Sequence, residues 1–258
     1  MSFKLNGIKV NVDIFPDKTS QVWKVSESSF EGKSYNIEWN FESESEVIQL
    51  VQLVDLIRHG HIPRPVNLYM PYLPYGRQDK GIDNNATFAL KSFCRVLSML
   101  RFDDITTLDA HSTKADEYLW NYKNIHPSKQ ISQALRMTNA TAIAFPDKGA
   151  SDRYFGRDET IGHHLIIGHK VRDQLTGYIT EYNIEGDPNG KDVLIIDDIC
   201  DGGMTFRLLT KDLLKAGASS VSLYVTHGIF SKGVQILLDD GISRIFTKDG
   251  EVFPIKRY

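Results

Sequence analysis

Residues Val193-Leu194-Ile195-Ile196-Asp197-Asp198-Ile199-Cys200-Asp201-Gly202-Gly203-Met204-Thr205-Phe206 run from an unbroken aliphatic stretch through acids and a glycine turn into an amphipathic segment. An apolar run with no polar interruption reads as a strand covered on both faces, which asks for helices above and below a largely parallel sheet. In such sheets ligands bind at the carboxyl ends of strands, where these acids and glycines fall. The backbone N–H groups of Gly202, Gly203, Met204 and Thr205, at the start of the next helix, can cradle a phosphate with help from the helix dipole and the Thr205 hydroxyl. Asp197 and Asp198 beside that cradle would repel phosphate but accept hydrogen bonds from sugar hydroxyls. A sugar phosphate meets both demands. The segment has no Gly-x-x-x-x-Gly-Lys, so a Walker-type loop is not the explanation.

The alternation of apolar run, polar end and helical pattern recurs along the chain. Ser43 and Glu46 have capping-box spacing, and Val47, Ile48, Leu50, Val51, Val54 and Ile57 form a broad apolar helix face. Arg58 and His59 suit that helix's C-terminal dipole and Gly60 its stop. A strand at Val66–Met70, a loop through Arg77-Gln78-Asp79-Lys80, a helix near Thr87–Leu100 and a strand at Ile105–Leu108 complete one βαβ unit. A second α/β stretch starts with a helix near Ser128–Leu135 and continues through strands at Thr141–Phe145, Leu165–Ile167, Val193–Ile196 and Val221–Val225. The linker His126-Pro127-Ser128 divides the chain into residues 1–127 and 128–258. The expected class is α/β, with two similar halves, each a largely parallel sheet flanked by helices.

Composition narrows the function classes. Thirty Lys and Arg against 33 Asp and Glu leave a net charge of −3, so no global field draws the chain to nucleic acid or an anionic membrane. Any bound anion must be held by a local site. Cys94 and Cys200 have neither disulfide-framework nor metal-ligand spacing, which fits a reducing cytoplasm. The first residues lack the apolar run of a signal peptide, and no segment approaches the roughly 18 apolar residues of a membrane span.

The 193–206 segment, two acids then Asp-x-Gly-x-Thr after a strand, resembles the phosphoribosyl-pyrophosphate loop of the type I phosphoribosyltransferase fold. That fold permits base transfer, synthesis of phosphoribosyl pyrophosphate, or sensing of it. Four further segments, in chain order, resemble the ribose-phosphate diphosphokinases, also called phosphoribosyl-pyrophosphate synthetases. Pro71-Tyr72-Leu73-Pro74-Tyr75-Gly76-Arg77-Gln78-Asp79-Lys80 resembles their ATP-binding loop, and Leu108-Asp109-Ala110-His111-Ser112 their Asp-x-His segment beside metal and phosphates. Phe145-Pro146-Asp147-Lys148-Gly149-Ala150 resembles their Pro-Asp-x-Gly turn, and Leu165–Arg172 their catalytic loop.

The resemblance implies transfer of a diphosphoryl group from ATP to ribose 5-phosphate with Mg²⁺. Arg77, Gln78, Asp79 and His111 would bind ATP; His111, Asp147 and Asp109 would serve the metal; Lys170, Arg172 and His111 would carry catalysis. Asp197, Asp198, Asp201 and Gly202 to Thr205 would hold ribose 5-phosphate. Each role makes chemical sense: an Arg fork and a divalent ion hold polyphosphate, and Lys170 with Arg172 on a polar loop can neutralise charge in the transition state.

The resemblance also implies an adenine-binding hairpin supplied by a neighbouring subunit. Phe15-Pro16-Asp17-Lys18-Thr19 is its nearest counterpart, with Lys18 in place of Gly, while Phe30-Glu31-Gly32-Lys33 offers a second alignment. A homodimer or dimer-based hexamer follows. The chain is a short form of the kind expected of a phage-encoded branch, with Gly202, Met204 and Val171 departing from the usual residues. A catalytically silent regulatory subunit and a base phosphoribosyltransferase are the alternative readings. His59, His61, His163 and His164 receive no role.

Overall fold

The computed structural model describes residues 2–81, 85–172 and 179–253, of which 170–172 and 179–182 are described by backbone alone. The chain separates into two compact units, Met1–His126 and Pro127–Tyr258.

In the first unit the strands are β1 (Phe3–Leu5), β2 (Ile8–Lys9), β3 (Val12–Ile14), β4 (Ser20–Val22), β5 (Tyr35–Trp39), β6 (Val66–Tyr69), β7 (Asp104–Leu108) and β8 (Tyr122–Ile125). Helices α1 (Glu46–Gly60) and α2 (Ala89–Met99) connect β5 to β6 and β6 to β7. The sheet order is β2-β1-β5-β6-β7-β8, with β5 through β8 parallel and β1 antiparallel to both β2 and β5. Because the strand order advances in one direction, right-handed crossovers put both helices on the same face. Tyr35, Ile37, Trp39, Val66, Leu68 and Ile105 are buried on that face against Leu50, Leu53, Val54, Phe93 and Leu97. The other face is polar: an Asn6–Asn36–Asn67 side-chain ladder, Lys4 paired with Glu38, and Lys123 paired with Asp104. Strands β3 and β4 form a separate hairpin, tied to α1 by Gln52, which accepts from Val22 N–H at 2.8 Å and donates to Ser20 C=O at 2.9 Å.

The capping box expected at Ser43 takes a different form. Helix α1 starts at Glu46, and no side chain caps it at Ser45. The buried Glu46 carboxylate instead accepts from Glu42 N–H and Trp39 Nε1, both at 2.9 Å, and from Ser2 Oγ. The helix also runs through Gly60 and ends at His61, two residues before Pro63.

The second unit contains α3 (Ser128–Thr138), β9 (Ala142–Phe145), α4 (Lys148–Tyr154), β10 (His164–Arg172), β11 (Ile179–Glu185), β12 (Asp192–Cys200), α5 (Met204–Lys215), β13 (Ser220–Gly228), α6 (Gln235–Asp239), β14 (Ile242–Thr247) and β15 (Gly250–Val252). Its sheet order is β11-β10-β9-β12-β13-β14-β15, parallel from β10 to β14 with antiparallel edges. Here both faces are covered. Ile143, Phe145, Leu194 and Ile196 pack with α3 and α4, while Ala142, Ala144, Val193 and Ile195 pack with α5 and α6. Consecutive strand residues point to opposite faces, and that is why these strands lack polar alternation.

Candidate active site

In the second unit the strand β12 ends among acids. Ile196 and Leu194 face α4, so Asp198, two residues further, shares that face, and Asp197 takes the α5 face. Asp198 is buried, with its side chain 5% exposed, and its Oδ2 accepts from Arg153 Nη1 of α4 at 2.7 Å. Asp197 Oδ1 accepts from the Asp198 N–H at 2.9 Å. Burial, reinforced by the charges of Asp198 and Asp147, pushes the Asp197 carboxyl well above its ordinary value.

The turn that follows is built by Gly203. Its φ is +76°, and a Cβ there would lie 2.7 Å from Leu237 Cδ2. Both facts demand glycine. Met204 is the first residue of α5, so this departure from the usual glycine sits at an ordinary helical φ. The bond from Arg207 N–H to Gly203 C=O, at 3.0 Å, opens the ladder, leaving the amides of Met204, Thr205 and Phe206 ahead of it at the positive end of the helix dipole. Asp201 and Met204 are exposed and Thr205 half-buried beside them. Cys200 is buried, and burial with the charges of Asp197 and Asp201 raises its thiol to about 12, which suits a filler and not a nucleophile.

Asp147 caps α4, accepting from Ala150 N–H at 3.0 Å, and a Cβ at Gly149 would approach its Oδ1 to 3.2 Å. The glycine that ends Pro-Asp-x-Gly therefore leaves room for the carboxylate. Lys148 pairs with Asp152 on the exposed side of the helix, at 3.0 Å.

The segment expected as a catalytic loop is different in form. Strand β10 continues through His169 to Arg172 because it is laddered antiparallel to β11, with Lys170 opposite Tyr182 and Arg172 opposite Ile179. Lys170 and Arg172 thus lie on a β-ribbon and not on an open loop; their side chains fall outside the described residues. His169 Nε2 lies 2.9 Å from Glu185 Oε2 across that ribbon.

In the first unit the loop after β6 and the residues after β7 meet. A Cβ at Gly76 would lie 3.2 Å from Leu73 C=O and 3.6 Å from His111 Cβ, and Leu108 N–H donates to Pro71 C=O at 3.0 Å. Arg77, Gln78 and His111 are exposed and Asp79 half-buried. Tyr75 donates to Glu44 at 2.6 Å; burial, with that bond, raises its phenol to about 12. Asp109, at φ +51°, is only 2% exposed, so it lies beneath the surface on which His111 stands.

The Phe15–Thr19 segment is the tip of the β3–β4 hairpin. Asp17 Oδ1 accepts from Thr19 N–H at 3.0 Å and Thr19 Oγ1 at 2.7 Å, which holds its carboxyl below the ordinary value. Lys18 stands at φ +71°. Phe15 is 44% exposed, whereas Phe30 of the second alignment is stacked on His61 with centroids 3.5 Å apart.

The oxygen donors at these strand ends suit a hard divalent ion. Magnesium takes one or two carboxylates and completes its shell with water and substrate phosphates, and among the described residues no three His, Cys, Asp or Glu side chains form a cage of their own.

A family model for the phosphoribosyl transferase domain matches residues 161–255. The ribose-phosphate pyrophosphokinase of Pyrococcus furiosus is 28% identical over 253 residues, covering 96% of this chain and 88% of the relative. Over nearly its whole length the chain is thus similar to a ribose-phosphate pyrophosphokinase. The Agrobacterium fabrum pyrophosphokinase is also 28% identical, over 198 residues, with 63% of its own length covered. The crystal structure of phosphoribosylpyrophosphate synthetase from Mycobacterium smegmatis superposes with a TM-score of 0.78 over 93% of this chain and 79% of that one, at 19% identity. The phosphoribosyltransferase-type fold of two α/β halves is thereby established.

Sequence reasoning missed Arg153. It stands six residues after Asp147 on α4, and only the folded packing of α4 on β12 brings it to Asp198. An Arg on a helix that starts with a capping acid gives no sequence signal of its own.

Proposed function

We propose that the chain is a ribose-phosphate diphosphokinase that joins the β,γ-diphosphoryl group of ATP to the 1-hydroxyl of ribose 5-phosphate, giving phosphoribosyl pyrophosphate and AMP. The observation that carries this reading is the end of β12, where free amides at a helix N-terminus adjoin carboxylates on the strand. A ligand with a phosphate at one end and hydroxyls along one side matches both. The amides of Gly202 to Thr205 and the Thr205 hydroxyl take the 5-phosphate, and Asp197, Asp198 and Asp201 the ribose.

Residues 1–127 supply the ATP contacts: Arg77, Gln78 and Asp79 from the loop after β6, with His111 beside them. Residues 128–258 supply the sugar-phosphate contacts and the catalytic cations Lys170 and Arg172. The 1-oxygen of the sugar attacks the β-phosphorus, the bond from that phosphorus to the α,β-bridging oxygen breaks, AMP leaves with that oxygen, and the hydroxyl proton passes to water. Positioning and charge neutralisation carry such a transfer. His111, Asp109 and Asp147 would hold Mg²⁺, which would neutralise charge on the polyphosphate.

The hairpin supports a shared site. Ile14 and Phe15 are 71% and 44% exposed, an apolar tip that a single chain leaves in water. Phe15 stacking on adenine and Asp17 accepting from its amino group, both from a second copy, make the active form at least a dimer. Among the described residues no helix is long and apolar enough to cross a membrane, and two buried free thiols suit a reducing cytoplasm.

³¹P NMR of the purified protein with ATP, Mg²⁺ and ribose 5-phosphate tests the reading. AMP and a new pyrophosphate ester should appear together, and neither when the sugar or metal is omitted. Intact ATP under these conditions would shift the weight to a silent subunit or a base transferase.

A further inference from the structure

Two adjacent acids at the end of β12 do not stand in equivalent places. Asp198 points to the α4 side, where Leu194 and Ile196 are packed, and a carboxylate so deeply covered requires a partner. The partner is Arg153, whose Nη1 is 2.7 Å from Asp198 Oδ2. Arg153 is itself three-quarters covered: its guanidinium lies 5.9 Å from the Tyr154 ring centroid, and its carbonyl accepts from Arg157 Nε at 2.9 Å. The backbone of Asp198 then performs a second task, since its N–H donates to Asp197 Oδ1. A chain of contacts therefore runs from the α4 guanidinium through the Asp198 side chain and peptide to the Asp197 carboxylate.

From this chain we infer that Arg153 is a positioning residue for ribose 5-phosphate: by anchoring Asp198 it fixes the peptide that orients Asp197 toward the sugar. The inference rests on the sugar-phosphate reading of the β12 end. It differs from a mere structural role in one respect that can be measured. Arg153 acts on the sugar-phosphate end of the reaction, so its loss falls on one substrate. Collapse of α4, which Asp147 caps, would weaken both substrates together.

The experiment compares wild type, Arg153→Lys and Arg153→Gln in steady-state kinetics for both substrates and in calorimetric titration with ribose 5-phosphate alone. A point cation in place of the planar fork keeps part of the anchor, and a neutral amide keeps little. The expected series is graded: ribose 5-phosphate binding three- to fivefold weaker in Arg153→Lys and tenfold or more weaker in Arg153→Gln, with the KM for ATP within twofold throughout. Unchanged ribose 5-phosphate binding in both variants, or equal weakening of both substrates, overturns the role. If Arg153→Gln gives no folded protein, Arg153→Lys decides by the same split between substrates. A wild type that binds ribose 5-phosphate but makes no AMP removes the diphosphokinase reading while the calorimetric series still decides the role of Arg153; a wild type that does not bind it removes both.

Discussion

Gly203 joins two constraints at one Cα, a positive φ and a neighbouring Leu237 at 2.7 Å from any added Cβ. Gly203→Ala should therefore cost about 1–3 kcal/mol of stability, read from the denaturant midpoint, and weaken ribose 5-phosphate binding with it. Asp197 behaves in the opposite way. Its carboxyl is raised in the folded chain, so the native state holds the proton more tightly than the unfolded one, and its contribution to stability falls as pH rises from about 4 toward the raised value. In metal-free protein, Asp197→Asn should raise Tm at pH 7.5 relative to wild type, with the gap closing near pH 4, while abolishing ribose 5-phosphate binding. A Tm gap constant with pH would show that Asp197 is not so perturbed. At this scale the two aspartates, the glycine turn and Thr205 were legible from sequence, because strand, acid and glycine are neighbours along the chain. Arg153 was not, because its partner is 45 residues away and is reached only through helix packing.

The β3–β4 hairpin carries Lys18 at its tip. Lys18 accepts the positive φ that glycine would take without strain, so Lys18→Gly should stabilise the tip or leave it neutral, within about 1 kcal/mol. Gln52 anchors the hairpin from α1 by bonding main-chain groups of both Val22 and Ser20. Gln52→Ala should lower hydrogen-exchange protection of the Val22 amide at least tenfold and raise the KM for ATP; unchanged protection would mean that packing alone holds the hairpin. The helices and the apolar strands could be read from periodicity and unbroken runs. The start of α1 could not, since Glu46 is fixed by Trp39 and Ser2, residues that capping rules do not consult. Nor could the β10–β11 ribbon, because polar residues such as His169 and Lys170 read as loop until a partner strand ladders them.

In the molecule as a whole, two phosphoribosyltransferase-type units share a plan but differ in cover. The second has helices on both faces of its sheet, the first on one face only, with the other carrying the Asn6–Asn36–Asn67 ladder and two cross-strand ion pairs. Both native cysteines are buried, with thiols pushed up to about 11 at Cys94 and about 12 at Cys200, in each case first by burial. A thiol reagent at pH 8 should label neither in folded protein and both after denaturation; fast labelling of the native state would contradict that burial. The helix-free face then has a practical use. A cysteine placed at Asn67 or Thr106 would be the single reactive thiol on the native chain, a spectroscopic handle on a surface that neither strand-end site uses, from which a spin label or fluorophore could report motion while turnover proceeds.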